Sequence, residues 1–519
     1  MTSYNSAALF IRYGPLYRTL VSVTSLCAFF TMVFSSNMVN VAIPHVMGAF
    51  GVGQDKAQYL STAFIATTVT SLLLNTWFIA RVGQRPAFVM ALLVFCVGSL
   101  ICGLGPTLDT IILGRVIQGF AAGIIQPMIM IVLFQVFPPE KRGTAMGLFS
   151  MGVVIALGLG PAIGGVTIDL LTWRYIFFVP IPAALLSLLL GILFIPERDR
   201  REPAGPFDFV GYAFMCAAVF CLMTIIGNGQ RYGWASNEIL TLFAVMVVSF
   251  VGFVLSQRRS RGNLLDLNLF RNPKFATAVS VSFLFGFGSF ATVYIFPVFG
   301  QIVQGYTPSE AGSLLLPGAI AAAFFLPVAG RLADRFPPHT VIVAGMLVFG
   351  VSVLLMADSD VDTVFWSIAF YLFIGRIGVA LVSPALNSAA LAALSPSEVH
   401  RGAGAVNLCL MLGGSCGINT LVVVLERRIM FHGNAFAATQ TSGNTATREL
   451  LGAVTGLLGE GGVPDALRHP VALDYLGSVL KAQANTLGFQ DGFIAVGAVS
   501  MLTIVPVLLL MRRHQRGGA

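Results

Sequence analysis

The chain has 519 residues, 56% of them hydrophobic and only 10% charged, and its mean hydropathy is +0.85. A soluble domain needs about 25% charged residues to stay wetted, so this composition excludes two or three soluble domains and points to a lipid-facing protein. The formal charge of +8 is spread in short runs between apolar stretches. That excludes a nucleic-acid binder, whose basic residues gather on one face or tail, and the seven cysteines, none in C-x-x-C spacing, indicate neither a zinc site nor a disulfide framework.

A helix that crosses a bilayer needs about 20 mostly apolar residues. After a cytoplasmic N-terminus (1–18), fourteen stretches qualify: 19–44, 58–80, 86–104, 110–137, 144–168, 174–195, 208–228, 237–256, 274–300, 311–330, 339–357, 364–392, 402–425 and 491–511. The first is too long for a signal-peptide core and lacks a small-residue cleavage site, so it is read as part of the mature protein. Six spans form an N-terminal bundle over 19–195, two form a linker pair within 196–273, and six form a C-terminal bundle over 274–519. Residues 430–490, between the last two spans, read as a loosely ordered external loop or as a docking surface for an external partner. Thr445–Glu460 and Pro470–Gln490 within them have helix-like apolar spacing.

With an N-terminus in the cytoplasm, twenty of the 30 Lys and Arg residues fall on the inner side and eight on the outer, with Arg115 and Arg376 inside spans. The positive-inside rule therefore places both termini in the cytoplasm. Three features of that inner side occur twice. TWFIARVGQR (76–85) returns as GRLADRFPPH (330–339), Gly114-Arg115 as Gly375-Arg376, and PPEKRG (138–143) as PSEVHRG (396–402), at offsets of 254, 261 and 258 residues. The chain is thus two homologous six-helix halves. Parallel repeats of this kind build secondary transporters, with substrate held between the halves near the midplane and the halves rocking about it.

These residues resemble the major facilitator superfamily and, within it, the fourteen-helix drug–proton antiporters of the EmrB/QacA multidrug export type, over about residues 20–515. The superfamily's loop motif, G-x-L-A-D-R-x-G-x-R, keeps Gly330, Leu332, Ala333, Asp334 and Arg335 in its second copy. Its first copy keeps Arg81, Gly83 and Arg85, with Thr76 for the Gly and Ala80 for the Asp. Arg115, Gln118 and Gly119 carry the fourth-span motif, and Gly160, Pro161, Gly164 and Gly165 are similar to the exporters' fifth-span motif. Trp173-Arg174-Tyr175-Ile176-Phe177, Phe207-Asp208 with Gly211, Leu265-Asp266-Leu267 and Leu412-Gly413-Gly414-Ser415 resemble markers of the fourteen-helix branch. One departure stands out. The family's first span reads L-D-x-T-x-x-N-x-A-x-P; here residues 34–44 keep the frame, but Ser35 replaces the Asp that the resemblance makes the proton carrier. A hydroxyl cannot take that role.

A charge inside a span is costly and is functional by default. Arg115 is therefore assigned to gating or coupling, against a packing role at carbonyls, and Arg376 is its counterpart. Gly160-Pro161 interrupts the helical hydrogen-bond ladder, and the small residues around it allow close helix approach. Asp334 and Arg335 are expected to tie helix ends at the inner face. No Asp or Glu lies at mid-membrane; Glu426 and Asp169, near outer span ends, are the candidates for a relocated proton relay, with interface roles as the other reading. Ser35, Asn37, Asn40, Gln126, Phe287, Tyr294 and Asn407 are the candidate substrate cavity.

The sequence thus indicates an all-α, multi-pass inner (plasma) membrane exporter of amphipathic small molecules, not an enzyme. It is expected to use no cofactor or metal, to sit among membrane lipid, to bind no nucleic acid, and to involve protons and a periplasmic adaptor as further partners. An uncoupled facilitator and a dedicated metabolite exporter remain alternatives, with a membrane-embedded enzyme or receptor more remote. No G-x-x-x-x-G-K-[ST] loop is present, which argues against an ATP-driven pump.

Overall fold

The structure, a computed structural model, describes residues 11–508 apart from 15, 138–155, 157, 198–205, 260–263, 396–397 and 442. The described residues fold into helices: α1 Leu16–Phe50, α2 Tyr59–Val82, α3 Gln84–Leu104, α4 Leu108–Val136, α5 over 158–170 and α6 Pro180–Phe194. The linker pair follows as α7 Phe209–Tyr232 and α8 Asn237–Arg259. The second half is α9 Pro273–Ile302, α10 Leu315–Arg335, α11 Pro338–Leu355, α12 Phe365–Leu391, α13 Val399–Thr439, α14 Thr445–Glu460 and α15 Asp465–Leu502. Thirteen described segments are long and apolar enough to cross a bilayer. About half of the fifth expected span, 144–168, falls outside the described residues.

The duplication is visible in the packing. α4 packs against α2 and α3, and α12 against α10 and α11; α1 and α3 pack against α6 as α9 and α11 pack against α15. One close approach recurs in both halves. A Cβ on Gly160 of α5 would sit 3.3 Å from the Phe34 carbonyl oxygen of α1, and one on Gly417 of α13 would strike the Phe287 carbonyl of α9. Glycine at these points lets two helix backbones meet without side chains between them. The linker pair is less enclosed: Leu240, Phe243, Val247 and Val251 of α8 are exposed apolar side chains, the surface a helix presents to lipid rather than to water.

The region 430–490 departs from the expected loop. α13 runs unbroken for 41 residues to Thr439, α14 fills Thr445–Glu460, and α15 begins at Asp465. No proline interrupts residues 426–439, and the extended end of α13 is tied to α15. Asp491 accepts hydrogen bonds from Arg428 Nε at 2.5 Å and pairs with His432 Nε2 at 2.7 Å. The Asn444 side chain caps α14, and Gly462, at φ +79°, turns the chain before Pro464 leads into α15.

Candidate functional site

Arg115 of α4 is fully buried and joins four helices. Its Nε donates to the Leu60 carbonyl of α2 at 2.6 Å, and its Nη1 donates to Gln118 Oε1 at 2.8 Å and lies 3.4 Å from both the carbonyl and the hydroxyl oxygen of Ser35 in α1. Gln118 passes the link to α3 by donating from Nε2 to Ser99 Oγ at 2.7 Å. The guanidinium carbon stands 4.4 Å over the Phe64 ring, and Nη2 has no partner. Ser35 therefore stands within reach of Arg115, where an Asp would form an ion pair, but it offers only a dipole. Among the described residues, Arg115 makes no salt bridge.

Arg376 occupies the equivalent place on α12 and is held differently. It keeps part of its side chain open, and no hydrogen bond or ion pair to another described residue accompanies it. The hexapeptide Gly114-Arg115-Val116-Ile117-Gln118-Gly119 becomes Gly375-Arg376-Ile377-Gly378-Val379-Ala380, so Val379 stands where Gln118 grips Arg115. Gly119 lies against the backbone of Phe64, whereas Ala380 pairs with Ala322. The second half thus lacks both the amide and the ring that hold Arg115. The stem of Arg376 lies across Gly318 of α10, where a Cβ would come 2.7 Å from its Cγ.

The two halves are bonded along the face that carries Glu426. The Asp55 backbone N–H donates to Glu426 Oε1 at 2.7 Å, and the Ser309 backbone N–H donates to Asp169 Oδ2 at 2.9 Å. Gln54 Nε2 reaches the Tyr294 hydroxyl at 3.4 Å, Gln301 Nε2 donates to the Val41 carbonyl at 2.8 Å, and Ser415 Oγ lies 3.5 Å from the Thr62 carbonyl. α5 is wedged into the same seam. Gly164 faces Met38 of its own half, while Gly165 faces the Pro308 carbonyl and Gly158 faces Ala319 of the other. At the opposite face Arg81, Arg331 and Arg335 are exposed.

The remaining expected residues are scattered. Gly83, at φ +102°, makes the turn from α2 to α3 that a side chain would strain. Arg85 Nε donates to the Ile195 carbonyl at the end of α6, 3.0 Å away, which ties two helices of one half and not the two halves together. The Asp334 side chain and PPEKRG (138–143) lie outside what is described. The helix of α5 continues through Pro161. Of the cavity set, Ser35, Asn37, Asn40 and Tyr294 are buried. Asn37 donates to the Val33 carbonyl at 2.7 Å, and Asn40 Oδ1 accepts from Ser61 Oγ at 2.6 Å. Gln126, Phe287 and Asn407 keep open surface. Sequence reasoning missed Asp55, which pairs with Glu426 through its backbone and with Arg231 of α7 through its carboxylate at 3.5 Å.

Residues 25–418 match the family described as Major Facilitator Superfamily. The chain belongs to that superfamily. Its relatives include multidrug transporter protein MdtP of Bacillus subtilis, 28% identical over 96% of this chain and 95% of MdtP, and fatty acid resistance protein FarB of Neisseria gonorrhoeae, 27% identical over 95% and 96%. Multidrug export protein EmrB of Escherichia coli K12 is 27% identical over 80% of this chain and 81% of its own. Among solved structures, an inward-facing, unoccupied bacterial homologue of the human lysosomal transporter Spinster superposes with a TM-score of 0.66 at 17% identity, covering 96% of this chain and 98% of that one. The fold is therefore that of the major facilitator superfamily, whose members are transporters and not enzymes. It accounts for the two equivalent arginines: each sits on the fourth helix of one pseudo-symmetric half.

Proposed function

We propose that this major facilitator protein is a secondary active exporter of amphipathic small molecules that works by alternating access and is driven by proton entry through Glu426. The positive-inside count sets the Glu426 face outside and both termini in the cytoplasm. The names of MdtP, EmrB and FarB support export of amphipathic compounds as the family-level activity. The observation that carries the mechanism is the seam. Two carboxylates, Asp169 from one half and Glu426 from the other, each accept a backbone N–H from across it. Opening toward the outside must break both bonds. A carboxylate accepts more strongly than its protonated form, so a proton on Glu426 weakens the closed seam and an ionised Glu426 restores it.

The test is efflux from proteoliposomes under an imposed pH gradient. Gradient-driven efflux in the parent chain, lost in Glu426→Gln while substrate exchange persists, is the expected result. Efflux in Glu426→Gln that follows the gradient as in the parent would overturn the assignment. The second reading, an uncoupled facilitator, is favoured by Ser35 beside Arg115: the place from which the family's proton carrier would act holds no titratable group. It predicts purely downhill transport in the parent.

A further inference from the structure

We propose that the substrate's polar head is a carboxylate and that Arg376 binds it. This deepens the exporter reading and rests on it. Arg376 lies eleven residues into α12, so it sits about 16 Å along the helix axis and inside the hydrocarbon layer. No Asp or Glu occurs in α1, α2, α9, α11 or α12; α4 has only Asp109 at its start, and α10 only Asp334 at its end. The middle of the protein therefore holds two arginines and no countercharge. Arg115 is gripped by carbonyl, amide and ring, with Nη2 alone left over. Arg376 is not, and part of it remains open.

The place of this half-buried arginine matters as much as its charge. Its stem crosses Gly318, whose neighbour Ala319 meets Gly158 of the other half. Arg376 therefore packs on α10 one residue from a contact between the halves, and in transporters built from parallel repeats the substrate site lies near the midplane between the halves. Its planar fork of N–H donors matches the two oxygens of a carboxylate. An interior cation without a counter-ion attracts an anion and repels a second cation, and low polarity strengthens both effects. The site thus selects amphipathic carboxylates over amphipathic ammonium compounds of the same length.

The experiment uses the full chain in nanodiscs and three chain-matched fluorescent probes: 11-dansylaminoundecanoate, its carboxamide and its trimethylammonium counterpart. Binding is read from dansyl fluorescence, with thermal unfolding recorded for each variant. The parent should bind the carboxylate about tenfold or more tighter than the ammonium probe. Arg376→Gln should lose that preference while carboxamide affinity stays, and Arg376→Lys should recover part of it. Equal binding of carboxylate and ammonium by the parent overturns the proposal without any variant, and so does an unchanged preference in a folded Arg376→Gln. Export of the carboxamide or ammonium probe without carboxylate preference would leave the exporter reading standing and remove this one. Carboxylate preference without transport of any probe would do the reverse.

Discussion

The two halves share a frame and differ in how they treat the same charge. In the first, Arg115 is a knot, with bonds to Leu60, Ser35 and Gln118 and a ring beneath it that fasten α4 to α1, α2 and α3. In the second, Arg376 has the same backbone position, but Val379 and Ala322 replace the groups that would close around it. Duplication conserved where helices touch, as at Gly160 and Gly417. It did not conserve what the interior polar groups bond to. Similar backbone contacts therefore surround different side-chain environments, one arginine fastening its half and the other half-buried with no bond to another described residue.

The comparison can be broken most directly at Arg115. Arg115→Ala removes the donors that Arg115 gives to the buried Leu60 carbonyl and to Gln118 Oε1, a loss of about 1–3 kcal/mol for each buried hydrogen bond. Transport should fall to background and the melting temperature should drop, whereas Arg376→Ala should keep the parent's melting temperature and change only substrate preference. Equal destabilisation of the two variants would erase the distinction. Next come the shared contacts. Gly160→Leu and Gly417→Leu should each abolish exchange in proteoliposomes to a similar degree, because each forces a side chain between two backbones; activity in either would show that its half does not need the approach.

Ser35→Asp sharpens the contrast from the other side. It gives Arg115 a carboxylate, and a charge-assisted bond of about 1.5–3 kcal/mol should raise the melting temperature. It should also make efflux more sensitive to a pH gradient. An unchanged pH response would show that the first helix no longer takes part in coupling. A smaller effect is expected from Val379→Gln, which offers Arg376 the amide that Arg115 has. One added hydrogen bond, about 0.5–1.5 kcal/mol, should weaken dodecanoate binding by up to about tenfold in a titration calorimeter. The smallest effect concerns the helices that only the second half carries: removing residues 445–460 should leave vesicle transport near parental rates, and resistance of whole cells reports whether an external partner needs them.

Much of this was legible in the sequence. Period, span length and the repeated Gly-Arg gave the halves and the paired arginines, because burial in lipid demands apolar length and makes interior charges conspicuous. The helices beyond Glu426 were foreshadowed by apolar spacing at Thr445–Glu460 and by Asn444 and Gly462 at the ends of α14. Sequence alone does not separate them from a loop, because α13 and α15 carry their regular structure past the bilayer, where hydropathy no longer marks a helix. The seam was less accessible. Asp55 binds Glu426 through its backbone N–H, which any residue supplies, so no side-chain pattern announces the partnership. The loop motif was only partly informative: Arg85 binds a carbonyl within its own half, a target that residue identity does not encode.

The linker pair is an addition to the duplicated frame, and its position has a mechanical consequence. α7 packs against α2 of one half and α13 of the other, Met223 accepts hydrogen bonds from Ser415 and Asn419, and Arg231 reaches across to Asp55. The edge of the protein at α7 is therefore pinned to both halves by side-chain bonds, while the edge at α5 and α10 is joined by helix contact and by the Ser309–Asp169 hydrogen bond. Rotation of one body against the other then resembles a door hung at one jamb: displacement is small beside α7 and grows with distance toward α5. The linker pair thus decides which edge of the seam gives way first, although it stands outside the duplicated frame.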